Sequence, residues 1–404
     1  VSAPSRRRHA ALAVAIAGVT LAIQNGIVMA FAVLYLPLLH EFGASRAEVA
    51  SVQSAVLLLG GAGGPLIGWV LDRLGPRRLF QGGALVTAAA FVVASRVQSL
   101  PALVATYGVL GGLGLAALGS QSNMVVAALW YPRARGRAIA VADLGTGVGA
   151  FCFIPLGQAL VSSVGWRGAL LAWAALLVAV VVPLNAFQRL PSRPRAVSGP
   201  RAATSGWTVA AAVRSAPFRW LVAMRFSAAC AFPLVNTHLV AYLIGRGIQP
   251  GTAATALGAV SLVSLVGRIS TGVMSDRIGR APTLTLTYAS ATLGIAALVL
   301  LAVTGAPAWV AVFVLCYGLA QGSSGIIGSA RAADVFAGAA FGTISGWMSL
   351  AIGPGEALGA WLGGKIFDAA GSYLPAFAFA VGALAAGLVA IWRVRPDSAR
   401  AVVG

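Results

Sequence analysis

Arg268 stands inside an apolar run, Leu265-Val266-Gly267-Arg268-Ile269-Ser270-Thr271-Gly272-Val273-Met274, that is otherwise long enough to cross a bilayer. A guanidinium at the centre of a membrane helix costs roughly 2.5 to 3.5 kcal/mol, so a chain that keeps one aims it at a partner or at a water-filled cavity. Arg268 precedes Asp276 by eight residues, about 12 Å of helix, which sets it near the middle of a hydrocarbon core roughly 30 Å thick. Its planar fork can hold a carboxylate through two parallel hydrogen bonds, so it is the first anion-binding candidate. The plainer reading is a structural arginine paired with a carbonyl or a carboxylate.

Few other polar side chains lie as deep. His238 is about 12 Å below the opposite end of the seventh apolar run, a depth at which it and Arg268 are expected to line one cavity from opposite faces. An imidazole titrates nearest neutrality, which suits a proton carrier; a hydrogen bond to substrate or a satisfied core histidine are the alternatives. Glu356, in Gly353-Pro354-Gly355-Glu356, is about 18 Å from one end of the eleventh run, and Asp143 about 10 Å inside the fifth. A carboxylate at such depth is either a proton site or a structural group, so His238, Glu356 and Asp143 form the proton-coupling set. Arg225 is close enough to a run's end to snorkel to the surface. Tyr107, Tyr242, Tyr317 and Trp347 are aromatic candidates for shaping a pocket.

The elements that position these residues follow from composition. Hydrophobic residues make up 59% of the 404 and charged residues 9%, with a mean hydropathy of +0.89, far from soluble usage of about 25% charged. Apolar runs between about residues 10 and 392 divide into twelve spans, the first beginning near Ala10 and read as a membrane helix. The net charge of +19 is explained by its placement: with the amino terminus cytoplasmic, 21 of the 28 basic residues fall on the cytoplasmic side. That positive-inside bias puts both termini in the cytoplasm and removes the case for a nucleic-acid partner. Cys152, Cys230 and Cys316 have unrelated spacings in apolar runs, so no disulfide framework and no metal site is expected. No phosphate-binding glycine loop or Ser-His-Asp arrangement is visible, and neither an enzyme nor a cofactor is expected.

The chain repeats. Gly68, Asp72, Arg73 and Gly75 recur as Gly272, Asp276, Arg277 and Gly279, displaced by 204 residues, and Gly165-Trp166-Arg167 is matched by Gly371-Ser372-Tyr373, displaced by 206. Between the copies a proline- and arginine-rich stretch reads as a linker, giving a six-helix bundle over 1–188, a basic cytoplasmic linker over 189–219 and a second six-helix bundle with a short tail over 220–404. Glycine clusters at 60–64, 111–114 and 145–149 suit close, sliding helix contacts.

Gly68-Trp69-Val70-Leu71-Asp72-Arg73-Leu74-Gly75-Pro76-Arg77-Arg78 resembles the loop signature of the major facilitator superfamily, with its weaker copy after the eighth span. The resemblance implies an all-α membrane protein of twelve transmembrane helices in two bundles related by a parallel repeat. Asp72, Arg73, Asp276 and Arg277 are then a conformational latch of charge-assisted hydrogen bonds at helix ends. Trp130-Tyr131-Pro132-Arg133, continuing through Gly145, Gly149, Pro155 and Gln158 to Gly165-Trp166-Arg167-Gly168, is similar to the monocarboxylate transporter family, as are Arg268 before Gly272 and the segment Asn236-Thr237-His238-Leu239-Val240-Ala241-Tyr242 of its bacterial members. That resemblance carries the carboxylate-binding role to Arg268, with His238, Asn236 and Tyr242 as further substrate-binding candidates. Where animal members have a lysine and an aspartate, this chain has Val33 and Ser264. The implied function is proton-coupled symport of a lactate- or pyruvate-like monocarboxylate by a monomer in a bacterial inner membrane. The alternatives are an exporter or exchanger of another organic anion, dicarboxylate or drug-like, and an intramembrane enzyme.

Overall fold

Two glycines do most to divide the apolar runs into separate crossings. The helical stretch Gly136–Asn185 is 50 residues, about 75 Å, more than twice the thickness of a hydrocarbon core, and it is cut at Gly165. Gly165 has φ 72° and ψ 173°, and Gly75, which cuts Gly64–Ala94, has φ 76° and ψ 167°, a backbone region open in practice only to glycine. The computed structural model describes residues 3–131, 134–190, 207–336, 338 and 341–394.

The crossings are α1 (Ala3–Phe42), α2 (Arg46–Ala62, continuing over 64–74), α3 (76–94), α4 (Leu100–Trp130), α5 (135–164), α6 (166–185), α7 (Ala216–Gly245), α8 (Pro250–Ile278), α9 (Arg280–Thr304), α10 (Ala308–Phe336), α11 (341–370) and α12 (Leu374–Arg393). Eight stretches pass as spans on length and hydropathy alone, nine with the pair bent by 57° at Gly63. The two glycine cuts and α11, interrupted at 350–351, complete the twelve-helix fold.

The repeat read in the sequence reappears in the backbone. Gly279 has φ 91° and ψ 166°, nearly the conformation of Gly75 in the first copy. Likewise α4 is interrupted at Leu118-Gly119 and α10 at Gln321-Gly322, a displacement of 203 residues. Of the expected linker, 191–206 lie outside the described residues, as do Pro132, Arg133 and the tail beyond 394. The described end of that stretch runs into α7 through a cap, the Ser215 hydroxyl accepting from the Phe218 amide at 3.3 Å.

Small residues hold the helices close. A side chain at Gly145 or Gly149 would run into the backbone of Gly18 or Ala22, so α5 and α1 cross nearly backbone to backbone. Buried amides tie neighbouring helices together: Asn185 to the Thr20 hydroxyl at 3.0 Å, Gln53 to the Val28 carbonyl at 3.2 Å, Gln81 to the Val182 carbonyl at 2.9 Å. Each such bond is worth about 0.6 kcal/mol in a membrane protein, so shape complementarity carries most of the packing. The two halves meet along α2 with α11, α5 with α8, and α1 with α7.

Candidate functional site

Between the halves lies a cavity of about 1380 Å³. It is lined from the first half by residues such as Phe31, Gln53 and Asp143, and from the second by Arg225, Asn236, Arg268 and Glu356. Gly136 at the start of α5, Asp276 near the end of α8 and Ser329 in the last turns of α10 also line it, so it opens toward the face that carries the Asp72 and Asp276 loops. Its volume exceeds the roughly 300 to 1,000 Å³ of an ordinary small-ligand pocket, so a small ligand would reach Arg268 through a wide vestibule.

Arg268 is answered across the seam between the halves. Its Nη1 donates to Asp143 Oδ2 of α5 and, at 3.3 Å, to the Thr146 hydroxyl one turn further along. Thr146 is itself fixed, donating to the Asp143 carbonyl at 2.7 Å, and its own carbonyl accepts from Asn25 of α1 at 2.8 Å. Gly322, at the break in α10, leaves room for the guanidinium, because a side chain there would meet Arg268 Nε at 2.7 Å. That Nε is buried without a hydrogen-bond partner among the described residues, so the fork is only partly used. Arg268 and Asp143 thus form one charge pair in one cavity, although their sequence positions gave no sign that they meet.

The other predicted residues divide. Asn236 lines the cavity, with its side-chain oxygen buried and without a partner among the described residues, and Glu356 lines it half-buried. His238 does not line it. The ring is fully buried, its Nε2 is 2.9 Å from the Ala360 carbonyl, its Nδ1 3.3 Å from the Tyr373 hydroxyl, and it packs edge-on against Tyr35. Tyr242 is also outside the cavity, donating to the Leu298 carbonyl at 2.6 Å and packing on Phe377. The expected convergence of His238 and Arg268 on one cavity is therefore corrected: depth along a helix fixes height, not the side of the helix that faces the centre. Tyr107, Tyr317 and Trp347 likewise stay outside the lining, where Phe31 and Phe232 stand instead. Arg225 moves the other way: it does not snorkel but is 9% exposed and borders the cavity.

His238 belongs to the closure of the opposite face. There Asp368 of α11 accepts from the backbone amides of Arg46 and Ala47, each at 2.9 Å, capping the first turn of α2 from the other half. The Arg46 guanidinium donates to the Tyr373 hydroxyl at 2.6 Å and lies 3.8 Å over the Phe367 ring, while Tyr35 donates to the Arg46 carbonyl at 2.7 Å. Two or more turns deeper the Ser54 hydroxyl donates to the Ala357 carbonyl at 2.8 Å, and Gly61 abuts Gly353. The cavity is open on one face and sealed on the other.

Of the expected latch, Asp276 is held inside its own half by Arg280 at 2.6 Å, and Arg280 also reaches Asp334 at 3.1 Å. Asp72 is exposed and makes no ion pair among the described residues, and Arg73 lies 4.4 Å over the Trp69 ring. Among the described residues, none of Asp72, Arg73, Asp276 and Arg277 forms an ion pair between the halves on the open face. The Gly165-Trp166-Arg167 motif has a structural use: after the turn at Gly165, Arg167 pairs with Glu41 of α1 at 2.7 Å and donates to the Val97 carbonyl at 3.1 Å.

Comparison with known proteins agrees with this architecture. Residues 12–351 match the Major Facilitator Superfamily. Monocarboxylate transporter 13 of Bos taurus is 28% identical over 375 residues, covering 91% of this chain and 84% of the relative. Monocarboxylate transporter 3 of Rattus norvegicus is 30% identical over 260 residues, covering 63% and 52%. A crystal structure of a bacterial homolog to the human lysosomal transporter Spinster, inward-facing and unoccupied, superposes with a TM-score of 0.71 at 16% identity, covering all of this chain and 97% of that one.

Proposed function

The chain belongs to the Major Facilitator Superfamily, and from that premise we propose that this transporter carries small carboxylates together with a proton, by alternating access through the cavity at Arg268. The observation that carries the reading is the Arg268–Asp143 pair, which spans the two halves inside the cavity. A carboxylate entering the site competes with Asp143 for the same guanidinium. A proton on Asp143 removes that competition, so anion and proton each favour the other's binding, as linkage requires. Asp143 thereby supplies, from the opposite half, the carboxylate that Ser264 does not supply on the arginine's own helix. The likeness to monocarboxylate transporters over most of the chain supports a monocarboxylate of the lactate or pyruvate type as the cargo.

In this reading the open face and both termini are cytoplasmic, in a bacterial inner membrane, and the protein works as a monomer; the basic loops support the orientation. Loading Arg268 brings α5 and α8 under new constraint, the seal at Asp368 parts, and the halves rock about the bound anion.

The test is uptake of a labelled panel of short carboxylates into liposomes holding the purified protein, with and without an imposed pH gradient. Wild type accumulates its acid when the gradient is inward-acid. Arg268→Ala inserts into the membrane but does not transport, and Arg268→Lys, a point charge in place of a fork, is nearly as poor. Near-normal affinity and rate in Arg268→Ala would remove the anion-site assignment.

A further inference from the structure

A second cation borders the same cavity with no use in the reaction outlined above. Arg225 sits on α7 nine residues from Ala216, about 13 Å of helix from the open face, and is only 9% exposed. Its guanidinium donates to the Ser329 hydroxyl at 3.1 Å, the Ser349 hydroxyl at 3.4 Å and the Gly325 carbonyl at 3.5 Å, all neutral acceptors. Its Nε has no partner, and no carboxylate among the described residues is within ion-pair distance. Glu356, on the same helix as Ser349, is seven residues further on, about 10 Å deeper, and does not neutralise it. A buried charge held only by hydroxyls and a carbonyl lacks the counter-charge that ordinarily justifies its desolvation.

Arg225 and Arg268 border one cavity, so one ligand can reach both. Both arginines pack against α10, Arg268 at Gly322 in its break and Arg225 at Gly328, six residues further on. The two arginines are therefore separate along the cavity wall, and a ligand that answers both carries an anionic group at each end.

We propose that Arg225, with Ser329 and Ser349, is a second anion subsite that takes the far carboxylate of a short dicarboxylate whose near carboxylate lies on Arg268. The inference rests on the reading of Arg268 as a carboxylate site. A monocarboxylate fills only the first position and leaves Arg225 unmatched, so of two acids of equal length the diacid binds more tightly. A charge-assisted pair of this kind corresponds to about tenfold to a hundredfold in affinity.

The experiment is competition against uptake of a labelled acid by the full chain in liposomes, at about pH 7.5 where both ends of each diacid are ionised. The competitors are malonate, succinate and glutarate, set against the monocarboxylates of the same carbon number. Wild type is expected to favour one diacid of the series over its monoacid by at least about tenfold. Arg225→Met, apolar and of similar length, erases that ratio, and Arg225→Lys restores part of it. Wild type with no diacid preference at any length overturns the second subsite without recourse to a variant, and so does an unchanged ratio in Arg225→Met. If either happens while Arg268→Ala abolishes uptake of the labelled acid, the first site stands alone; if Arg268→Ala still takes up the labelled acid, the reading beneath it fails as well.

Discussion

Replacing Asp143 by asparagine isolates the step that couples proton to anion. Two unit charges about 4 Å apart attract by about 4 kcal/mol at an effective dielectric of 20. Arg268 and Asp143 are 29% and 20% exposed on their side chains, so solvent reduces that attraction, and about 1.5 to 3 kcal/mol is the reasonable magnitude for a hydrogen bond to a charged group there. An incoming carboxylate must displace this partner, so Asp143→Asn should bind anion about tenfold to a hundredfold more tightly at alkaline pH. The sign follows from the competition. On the proposed coupling, a proton on Asp143 frees Arg268 and raises anion affinity in wild type; in the variant the arginine is free throughout, so affinity is expected to lose its pH dependence and the two proteins to converge in acid. Binding isotherms over a pH series read the affinity, and liposome assays read the consequence: the variant exchanges labelled for unlabelled acid but does not accumulate it against a pH gradient. A variant that keeps the wild-type pH dependence and still accumulates substrate would falsify the coupling argument.

Other perturbations test the surroundings. His238→Gln should keep gradient-driven accumulation, because the ring lies outside the cavity, while heat or detergent unfolds the protein sooner; loss of coupling alone, with unchanged stability, would return the proton to the histidine. Asp368→Ala removes two charge-assisted bonds to the first turn of α2 and should shift the equilibrium toward the oppositely open state by about tenfold or more, read as faster labelling of a cysteine placed at the sealed seam. Asp72→Asn should leave anion affinity of the present state unchanged and slow turnover, since Asp72 pairs with no described residue here; a loss of affinity at constant turnover would count against a latch.

The sequence displayed the fold more fully than the site, for a physical reason. Hydropathy, loop charge and the repeated Gly-x-x-x-Asp-Arg-x-Gly segments act along the chain, and the paired backbone conformations at Gly75 and Gly279 are their direct result. A site between two bundles depends on which side of each helix meets the other half, and depth alone does not contain that. Arg268 was legible because an arginine inside a span needs an explanation on its own. Its partner was not: Asp143 stands 125 residues away, and only the crossing of α5 with α8 brings them together. Arg225 carries a signal in the sequence, since nine residues of helix is deeper than a side chain reaches comfortably to the surface. His238 misled for the converse reason, a buried histidine with a carbonyl acceptor resembling a functional one until its neighbours are seen.

The seal at Asp368 bears on which substitutions the chain can tolerate. The carboxylate grips main-chain amides, not side chains, at residues 46 and 47. The grip itself asks of residue 47 only an N–H, which excludes proline, while the buried Ala47 side chain limits what else can stand there by size and not by charge. No similar freedom exists at 368, where the whole grip comes from one side chain. Drift at the two positions should be lopsided, and pairwise covariation, which reports side chains answering side chains, would pass over one of the stronger ties between the two halves.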